Sequence, residues 1–461
     1  MISDLKPYCD YKPSSQSWLG EIPKHWELQR AKYLFAEVDD RSTTGREELL
    51  SVSHLTGVTP RSQKIITMFL AKSNVGHKIC RPHDVVINTM WAWMGALGVA
   101  RHFGIVSPAY GVYRPLTTTE LLPTYADYLL RTPIYAAEYQ RCSTGVNSSR
   151  LRLYPEQFLR MAIVIPPPTE QAAIARILDW ASGRLERAIL AKRKIISLLN
   201  EQKQAVIHRA ITRGLDPSVS LRPSGVLWLG DIPRHWEVRK LKHITRFING
   251  LPFKPTDWKD DGVPIIRIQN LNGSSVFNYT NRAGLPEELL IKRGDLMFAW
   301  SGNRGTSFGS FEWTSEITGY LNQHIFKLIG FTLPKRYFYY VLRAVTRHVE
   351  EQAGGIIGLV HVTKPELGSV QVPVAPTEEA KSIAASIDAA TFDLDRTVGQ
   401  LKREINLLRE YRTRLIADVV TGKLDVREAA SRLPEEAPPE SVVDDTDVSD
   451  ETEAADEEAF S

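Results

Sequence analysis

Amide, arginine, histidine and aromatic side chains gather in turn-like stretches of this chain, and these types suit contacts with nucleic-acid bases. Arginine, asparagine and glutamine can make paired hydrogen bonds to base edges in the major groove. Serine, threonine, lysine and backbone amides suit phosphates. The candidate DNA contacts are Ser53, His54, Asn88, Trp91, Arg101, Tyr110, Asn147 and Arg150 in one group, and Arg267, Gln269, Asn270, Trp300, Asn303, Arg304, Asn322, Gln323 and His361 in another.

Each candidate also has an ordinary structural interpretation. Trp91 can pack inside a loop rather than contact a base. Gln269 and Asn270 can cap a strand or turn, and Gln323 can form an internal hydrogen-bonded pair with His324.

Sequence signatures of catalysis are missing. The chain contains no GxxxxGK[ST], no GxGxxG after a strand, no Asp/Asn-Pro-Pro-aromatic tetrapeptide and no HExxH. No Cys/His spacing indicates a metal site, so we assign no catalytic or metal-binding residue. Binding is the favoured class. The alternatives are a self-contained nuclease or methyltransferase with an unfamiliar site, and an assembly protein whose modules bind something other than DNA.

The chain repeats one motif at a distance of a whole domain. WLGEIPKHW (Trp18 to Trp26) returns as WLGDIPRHW (Trp228 to Trp236). This offset is far longer than the unit of a solenoid or propeller, so it indicates a tandem domain duplication. Because these tryptophans recur in both halves, we expect them to belong to the scaffold and not to recognition.

Further anchors extend the duplication. RPHDVV at residues 81–86 corresponds to KRGDLM at 292–297, and ITRGLD at 211–216 corresponds to VTGKLD at 420–425. PPPTEQAAIARILD at 166–179 corresponds to VAPTEEAKSIAASID at 374–388, an alignment in which Glu379 replaces Gln171. The sequences between the anchors differ strongly. A shared frame with unlike interiors predicts two similar modules that recognise different things.

Two long helices are predicted, at residues 169–211 and 377–420, each about 43 residues and roughly 60 Å long. Apolar residues recur in steps of three and four, which is the spacing of a coiled-coil seam. We expect the helices to pack against each other as a spacer; the alternative is that each helix packs only on its own module. The predicted seam residues are Ile174, Leu178, Leu185, Leu199, Ile383, Ile387, Leu394, Leu401 and Leu408.

The predicted fold class is therefore α+β, with two tandem globular modules and two long helices. The expected domains are residues 1–168 for the first module, 169–211 for the first helix, 212–376 for the second module, 377–420 for the second helix, and 421–461 for a C-terminal segment. Within the first module, the apolar run at 85–100 is too short to span a bilayer comfortably and predicts a buried strand pair.

The net charge of +3 conceals a segregation of charge. Residues 435–461 hold 12 acidic residues and no basic ones, which leaves +15 on the remainder of the chain. That surplus is consistent with a polyanionic partner or with an ordinary solvated surface. The tail composition predicts disorder. The three cysteines form no CxxC pair, and the N-terminus lacks a signal-peptide pattern, so we expect a reducing cytoplasm.

The order of WLGEIPKHWELQRAKYL, a variable module, PPPTEQ and a long helix, present twice, resembles the specificity subunits of type I restriction–modification systems. The resemblance covers residues 14 to 430 and implies a non-catalytic subunit in which each target recognition module reads half of a bipartite DNA site. It also implies an antiparallel helix pair that fixes the gap between the half-sites. The implied partners are two modification subunits, which carry S-adenosylmethionine and methylate adenine, and two restriction subunits that use ATP and Mg. A methylation-only subunit remains the closest alternative.

Overall fold

The structure is a computed structural model that describes residues 5–63, 73–117, 120–145, 151–353 and 358–434. The chain divides into two compact units: unit 1 is Met1–Lys192 with Arg403–Ser461, and unit 2 is Arg193–Lys402. The division therefore falls inside each long helix, and each unit contains part of both helices. The expected disorder of the acidic tail concerns residues that lie outside the described part of the chain.

The first module is built from short strands and short helices, and it leads into a long helix. In chain order these are β1 (Tyr11–Pro13), β2 (Glu21–Pro23), β3 (Glu27–Arg30), β4 (Phe35–Glu37), β5 (Leu50–Ser53), β6 (Gly57–Pro60), β7 (Lys78–Cys80), β8 (Val85–Ile87), β9 (Leu97–Val99), β10 (Gly104–Val106), β11 (Gly111–Pro115), α1 (Pro123–Leu130), α2 (Pro133–Cys142), α3 (Pro155–Arg160), β12 (Ala162–Ile165) and α4 (Pro168–Arg213). The strand pair predicted in the apolar run is confirmed as β8 and β9, which are antiparallel.

The second module repeats this plan with an additional sheet. Its elements are β13 (Leu221–Pro223), β14 (Asp231–Pro233), β15 (Glu237–Lys240), β16 (Arg246–Asn249), β17 (Val263–Ile266), α5 (Ile268–Leu271), β18 (Asn278–Thr280), β19 (Leu290–Ile291), β20 (Leu296–Ala299), β21 (Ser301–Asn303), β22 (Gly309–Glu312), β23 (Gly319–Leu321), β24 (Ile325–Ile329), α6 (Lys335–Gln352), β25 (Leu359–His361), α7 (Lys364–Ser369) and β26 (Gln371–Val374), followed by α8 (Thr377–Val420) and α9 (Arg427–Ser431).

The main antiparallel sheets of the modules have equivalent strand orders, β4-β11-β8-β9 and β16-β24-β20-β22. The turn before the central strand is also the same: the Arg81 amide donates to Asp84 Oδ2 and the Lys292 amide donates to Asp295 Oδ2, each at 2.9 Å. His83, with φ of 76°, stands in the left-handed region that Gly294 occupies at 88° in the second module. The repeat seen in the sequence is thus a repeat of the fold.

Trp26 and Trp236, the second tryptophan of each repeated motif, are buried and bond to the start of a long helix, as expected of scaffold residues. Trp26 Nε1 donates to Glu170 Oε1 at 2.9 Å, and Trp236 Nε1 donates to Glu379 Oε2 at 3.0 Å. Glu379 therefore takes the place of Glu170, and the sequence alignment that set it against Gln171 was wrong by one residue. Gln171 is buried and donates to the backbone carbonyls of residues 120 and 166, so the shared proline and threonine misled the alignment.

The long helices run antiparallel within unit 1. Arg412 Nη1 donates to Glu186 Oε2 at 2.8 Å, and Lys192 Nζ donates to Glu404 Oε2 at 2.6 Å. Residue numbers therefore fall along α8 in the direction in which they rise along α4. In unit 2, Lys203 Nζ donates to Asp395 Oδ2 at 2.7 Å. Among the described residues, no helix is both long enough and apolar enough to cross a bilayer.

The apolar seam of the long helices serves two purposes. At the first turns, Ile174 and Leu178 lie in the core of the first module, and Ile383 and Ile387 lie in the core of the second. The first cluster also includes Val419 of α8, and the second includes Ile211 of α4, so neither long helix packs only on its own module. The other predicted seam residues are half-buried along the helices: Leu185, Leu199, Leu394, Leu401 and Leu408.

Candidate DNA interface

In the second module, several strand ends meet at one edge of the sheets. The strands β17 and β23 are parallel, so the residues that follow them emerge together, and the Asn322 amide donates to the Ile266 carbonyl at 3.0 Å. The Trp300 amide, just after β20, donates to the His324 carbonyl at 3.1 Å. Pairing of β21 with β25 places Ser301 opposite His361. This polar edge of the second module comprises Arg267, Gln269, Asn270, Trp300, Asn303, Asn322, Gln323, His324 and His361.

Trp300 joins three segments of that edge. Its indole Nε1 donates to the Gln323 carbonyl at 3.0 Å, and its own carbonyl accepts from the Val362 amide at 2.9 Å. Its ring centroid lies 5.1 Å from that of His324 and 5.0 Å from that of His361. Because these groups are engaged inside the protein, the geometry assigns Trp300 a positioning role at this edge.

Gln323 and His324 form the internal pair that the sequence offered as an alternative, yet the glutamine remains exposed. Gln323 Nε2 lies 3.1 Å from His324 Nε2, and the Gln323 amide N–H donates to Asn322 Oδ1 at 2.8 Å. Burial lowers the pKa of His324, and the neighbouring His361 lowers it further. The ring is therefore neutral near pH 7, and its Nε2 can accept a hydrogen bond from the glutamine amide.

Other predicted contacts in this module have structural partners. Asn270 is buried; its Oδ1 accepts from the Arg267 amide at 3.0 Å and its Nδ2 donates to the Val276 carbonyl at 2.8 Å, so it caps a helical turn. Arg267 Nη1 donates to Asn278 Oδ1 at 2.9 Å. Arg304 Nη2 donates to the carbonyls of Glu350 and Ala353, at the C-terminal end of α6. Gln269 is half-buried, and Asn303 and His361 are exposed.

The equivalent edge of the first module brings together Asn88, Trp91 and Tyr110. Asn88 follows β8 and Tyr110 precedes β11, the strand paired with it. Asn88 is only 7% exposed, its Nδ2 donates to Tyr110 Oη at 3.2 Å, and its Oδ1 accepts from the Met90 amide at 3.3 Å. The Trp91 amide donates to the Asn88 carbonyl at 3.0 Å. Here the side-chain amide is used to hold the loop.

The remaining candidates of the first module are not part of that cluster. Ser53 is the last residue of β5 and His54 begins the turn after it, where Arg131 Nη2 donates to the His54 carbonyl at 3.3 Å. Arg101 is exposed beyond β9, and the Val99↔Val85 pairing places it at the opposite end of the sheet from Asn88. Asn147 and Arg150 lie outside the described residues.

Two residues near the cluster of Asn88, Trp91 and Tyr110 were not predicted from the sequence. Arg61 lies close enough to lower the pKa of Tyr110, although burial raises that pKa overall. Its position directly after a strand could have identified it. Met90 is 36% exposed beside Asn88, and nothing in its sequence context distinguishes it from an ordinary core methionine.

Residues 233–407 match the family model of the type I restriction modification DNA specificity domain. The type I restriction enzyme MjaVIII specificity subunit of Methanocaldococcus jannaschii is 25% identical over 285 residues, which cover 59% of this chain and 64% of that relative. This match therefore spans somewhat less than two thirds of the relative. A putative type I restriction enzyme MjaX specificity subunit from the same organism is 23% identical over 445 residues, covering 89% of this chain and 96% of the relative.

A solved structure shows the same fold. It is a chain from work on complex assembly and conformational transition of the type I R-M system, with a TM-score of 0.54 and 14% identity, covering 87% of this chain and 99% of that chain. The likeness concerns the fold alone. Residues 233–407 thus match a type I DNA specificity domain, and the chain over most of its length is similar to type I restriction–modification specificity subunits.

Proposed function

We propose that this chain gives a type I restriction–modification complex its DNA sequence specificity, with each module reading one half of a bipartite site. The observation that carries the proposal is the equivalence of the two polar edges. Both lie at the end of the central strand of the repeated sheet, where Asn88 follows β8 and Trp300 follows β20, while Trp26 and Trp236 of the shared motif are buried in the scaffold. A common frame with different side chains at the same edge suits recognition of two different half-sites.

The proposal assigns the gap between the half-sites to the long helices. The helix α4 has 46 residues and α8 has 44, or roughly 66–69 Å at 1.5 Å per residue. The antiparallel contacts in unit 1 and the half-buried seam support a coiled-coil spacer. The salt-sensitive part of affinity would come from the +15 surplus outside the tail.

Catalysis is assigned to partner subunits. Two modification subunits would bring S-adenosylmethionine and methylate adenine, and restriction subunits would bring ATP- and Mg-dependent translocation and cleavage. The matched DNA specificity domain and the similar specificity subunits support these partners. A methylation-only complex would use the same specificity subunit without the restriction subunits.

The first experiment is a genome-wide map of adenine methylation in the native host, with and without this gene. We expect the deletion to abolish one split, asymmetric methylated motif and nothing else. An unchanged map, with the modification subunit shown to be expressed, would contradict the proposal. A challenge of the same strains with unmethylated phage DNA then separates a restricting complex from a methylation-only one.

The spacer assignment has its own test. Deleting one helical turn of α8 between Ile383 and Leu415 shortens it by about 5.4 Å. Since one base pair rises about 3.4 Å, the gap in the methylated motif should change by one or two base pairs, while both half-sites stay the same. An active complex with an unaltered gap would refute the spacer.

A further inference from the structure

The side chain of Gln323 is anchored on one side and open on the other. It is exposed at the polar edge of the second module, and its Nε2 lies 3.1 Å from the imidazole Nε2 of His324. A primary amide carries two N–H protons and a carbonyl oxygen. When one N–H donates a hydrogen bond to His324, the other N–H and Oε1 remain as an adjacent donor and acceptor.

The backbone at this point is fixed by its neighbours. The Gln323 carbonyl accepts from the indole of Trp300 at 3.0 Å, and its amide donates to Asn322 Oδ1 at 2.8 Å. Trp300 in turn packs against His324 and His361, with ring centroids 5.1 and 5.0 Å apart. The main chain and the far side of the amide are therefore held before any ligand arrives, which lowers the entropic cost of a directional contact.

An adjacent donor and acceptor match one base in the major groove. Adenine presents N7 as an acceptor beside the N6 amino donor, and the amide of glutamine or asparagine can satisfy both. Guanine presents two acceptors, thymine an acceptor and a methyl group, and cytosine a donor. The open edge of Gln323 can therefore form two hydrogen bonds with adenine but only a single matched bond with each of the other bases.

At the equivalent edge of the first module, a side-chain amide has both its nitrogen and its oxygen hydrogen-bonded within the protein. Asn88 is 7% exposed, and its nitrogen and oxygen bond to Tyr110 and to the Met90 amide. Its amide therefore has structural partners at both ends, whereas that of Gln323 is oriented at one end only. Only the amide of Gln323 thus keeps a donor and an acceptor with which this edge could contact a base.

We propose that Gln323 reads an adenine in the major groove of the half-site assigned to the second module, with His324 as the residue that orients its amide. This rests on the proposed function and adds the identity of one base and the residue that selects it.

The decisive variant is Gln323→Glu. An ionised carboxylate can only accept hydrogen bonds, so it repels the acceptor N7 of adenine. It suits the amino donor of cytosine instead. We expect one adenine in one half-site to lose its preference by about 5- to 150-fold, the range that 1–3 kcal/mol of discrimination corresponds to, with cytosine gaining. Gln323→Ala should relax the same position without a new preference. Gln371→Ala, an exposed amide on the scaffold strand β26, is the matched control and should leave the motif intact.

The readout is the methylation map of the native host expressing each full-length variant, scored at the methylated adenine of the other half-site. That adenine reports occupancy even if the relaxed position is itself a methylation target. Loss of the motif on deletion of the gene, combined with unaltered base preferences in both Gln323 variants, would overturn this inference and leave the proposed function standing. No change on deletion would contradict the proposed function itself. A shift at a position that is not adenine in the wild type would overturn the base assignment.

The role of His324 has a separate signature. His324→Phe keeps a ring against Trp300 but removes the acceptor, so the adenine preference should weaken at the same position while the thermal midpoint stays near that of the wild type. In competition between duplexes that differ at that base pair, the wild-type preference should fall as acid protonates His324, and the variant should show no such fall. His361, the titratable side chain placed against His324, is controlled with His361→Asn. A pH-independent wild-type preference would refute the orienting role.

Discussion

The polar edges of the two modules occupy equivalent places in equivalent sheets but use their side-chain amides in opposite ways. In the first module Asn88 is buried and bonded at both ends of its amide. In the second module Gln323 is exposed and anchored to His324. The same strand order thus supports a loop built around a buried amide in one case and an amide presented to solvent in the other. Recognition can change between duplicated modules without any change in the frame.

The frame itself also differs between the modules, in how deeply its carboxylate is buried. Glu170 is 4% exposed and accepts from Trp26 Nε1, Tyr8 Oη and His25 Nε2. Glu379 is 32% exposed and bonds with Trp236 and His235. The closing glycines repeat the correspondence, since Gly422 approaches Trp26 and Gly214 approaches Trp236. We therefore expect the stability of the first module to depend more on Glu170 than that of the second depends on Glu379.

The largest effect is expected from removing these carboxylates in turn. Glu170→Ala leaves buried donors of Trp26 and Tyr8 without an acceptor, so it should cost about 3 kcal/mol or more of stability. Glu379→Ala should cost about 1 kcal/mol, because water can reach the donors left behind. Denaturant unfolding of the full-length variants, followed by hydrogen exchange in each unit, measures both. Equal losses would show that burial of the carboxylate does not set the difference between the modules.

Removing the two amide side chains should produce a smaller difference in stability. Asn88→Ala breaks two hydrogen bonds of a buried side chain and should destabilise unit 1 by about 1–2 kcal/mol. Gln323→Ala removes an exposed side chain and should change stability by less than about 0.5 kcal/mol. Thermal unfolding of the full-length variants distinguishes the two outcomes. A destabilising Gln323→Ala would mean that this amide is structural, as Asn88 is.

The smallest expected effect is a pH dependence of the stability of unit 2. Burial lowers the pKa of His324 and of His348, aided at His324 by His361 and opposed at His348 by Glu351. Because the unfolded histidines bind protons more readily, near pH 6.5, the stability that depends on the neutral rings is full above that pH and is lost as the pH falls through the folded pKa values. Hydrogen exchange around α6 and β24 should therefore quicken on acidification. The variant His348→Phe, which keeps a ring against Trp228, should reduce that response, and an identical response would contradict the assignment.

Much of this organisation followed from the sequence alone. The repeat of WLGEIPKHW fixed the duplication, because two tryptophan pairs at one spacing need one common scaffold, and the structure buries Trp26 and Trp236. The absence of internal proline and the three–four apolar spacing predicted long helices, observed as Pro168–Arg213 and Thr377–Val420. These features are local or periodic, so the chain carries them without reference to its fold.

The tertiary structure decided which polar side chains remain available. Asn270 and Arg304 have the same donors and acceptors as a base-reading residue, but the structure engages them in capping a turn and the end of a helix. It also set Glu379 in the place of Glu170, which the sequence alignment had missed by one position. Side-chain type fixes what hydrogen bonds a residue can make, and only its neighbours in space determine which of those are already made. For that reason the sequence could name Gln323 as a candidate, while its anchored and half-open amide became visible only in the fold.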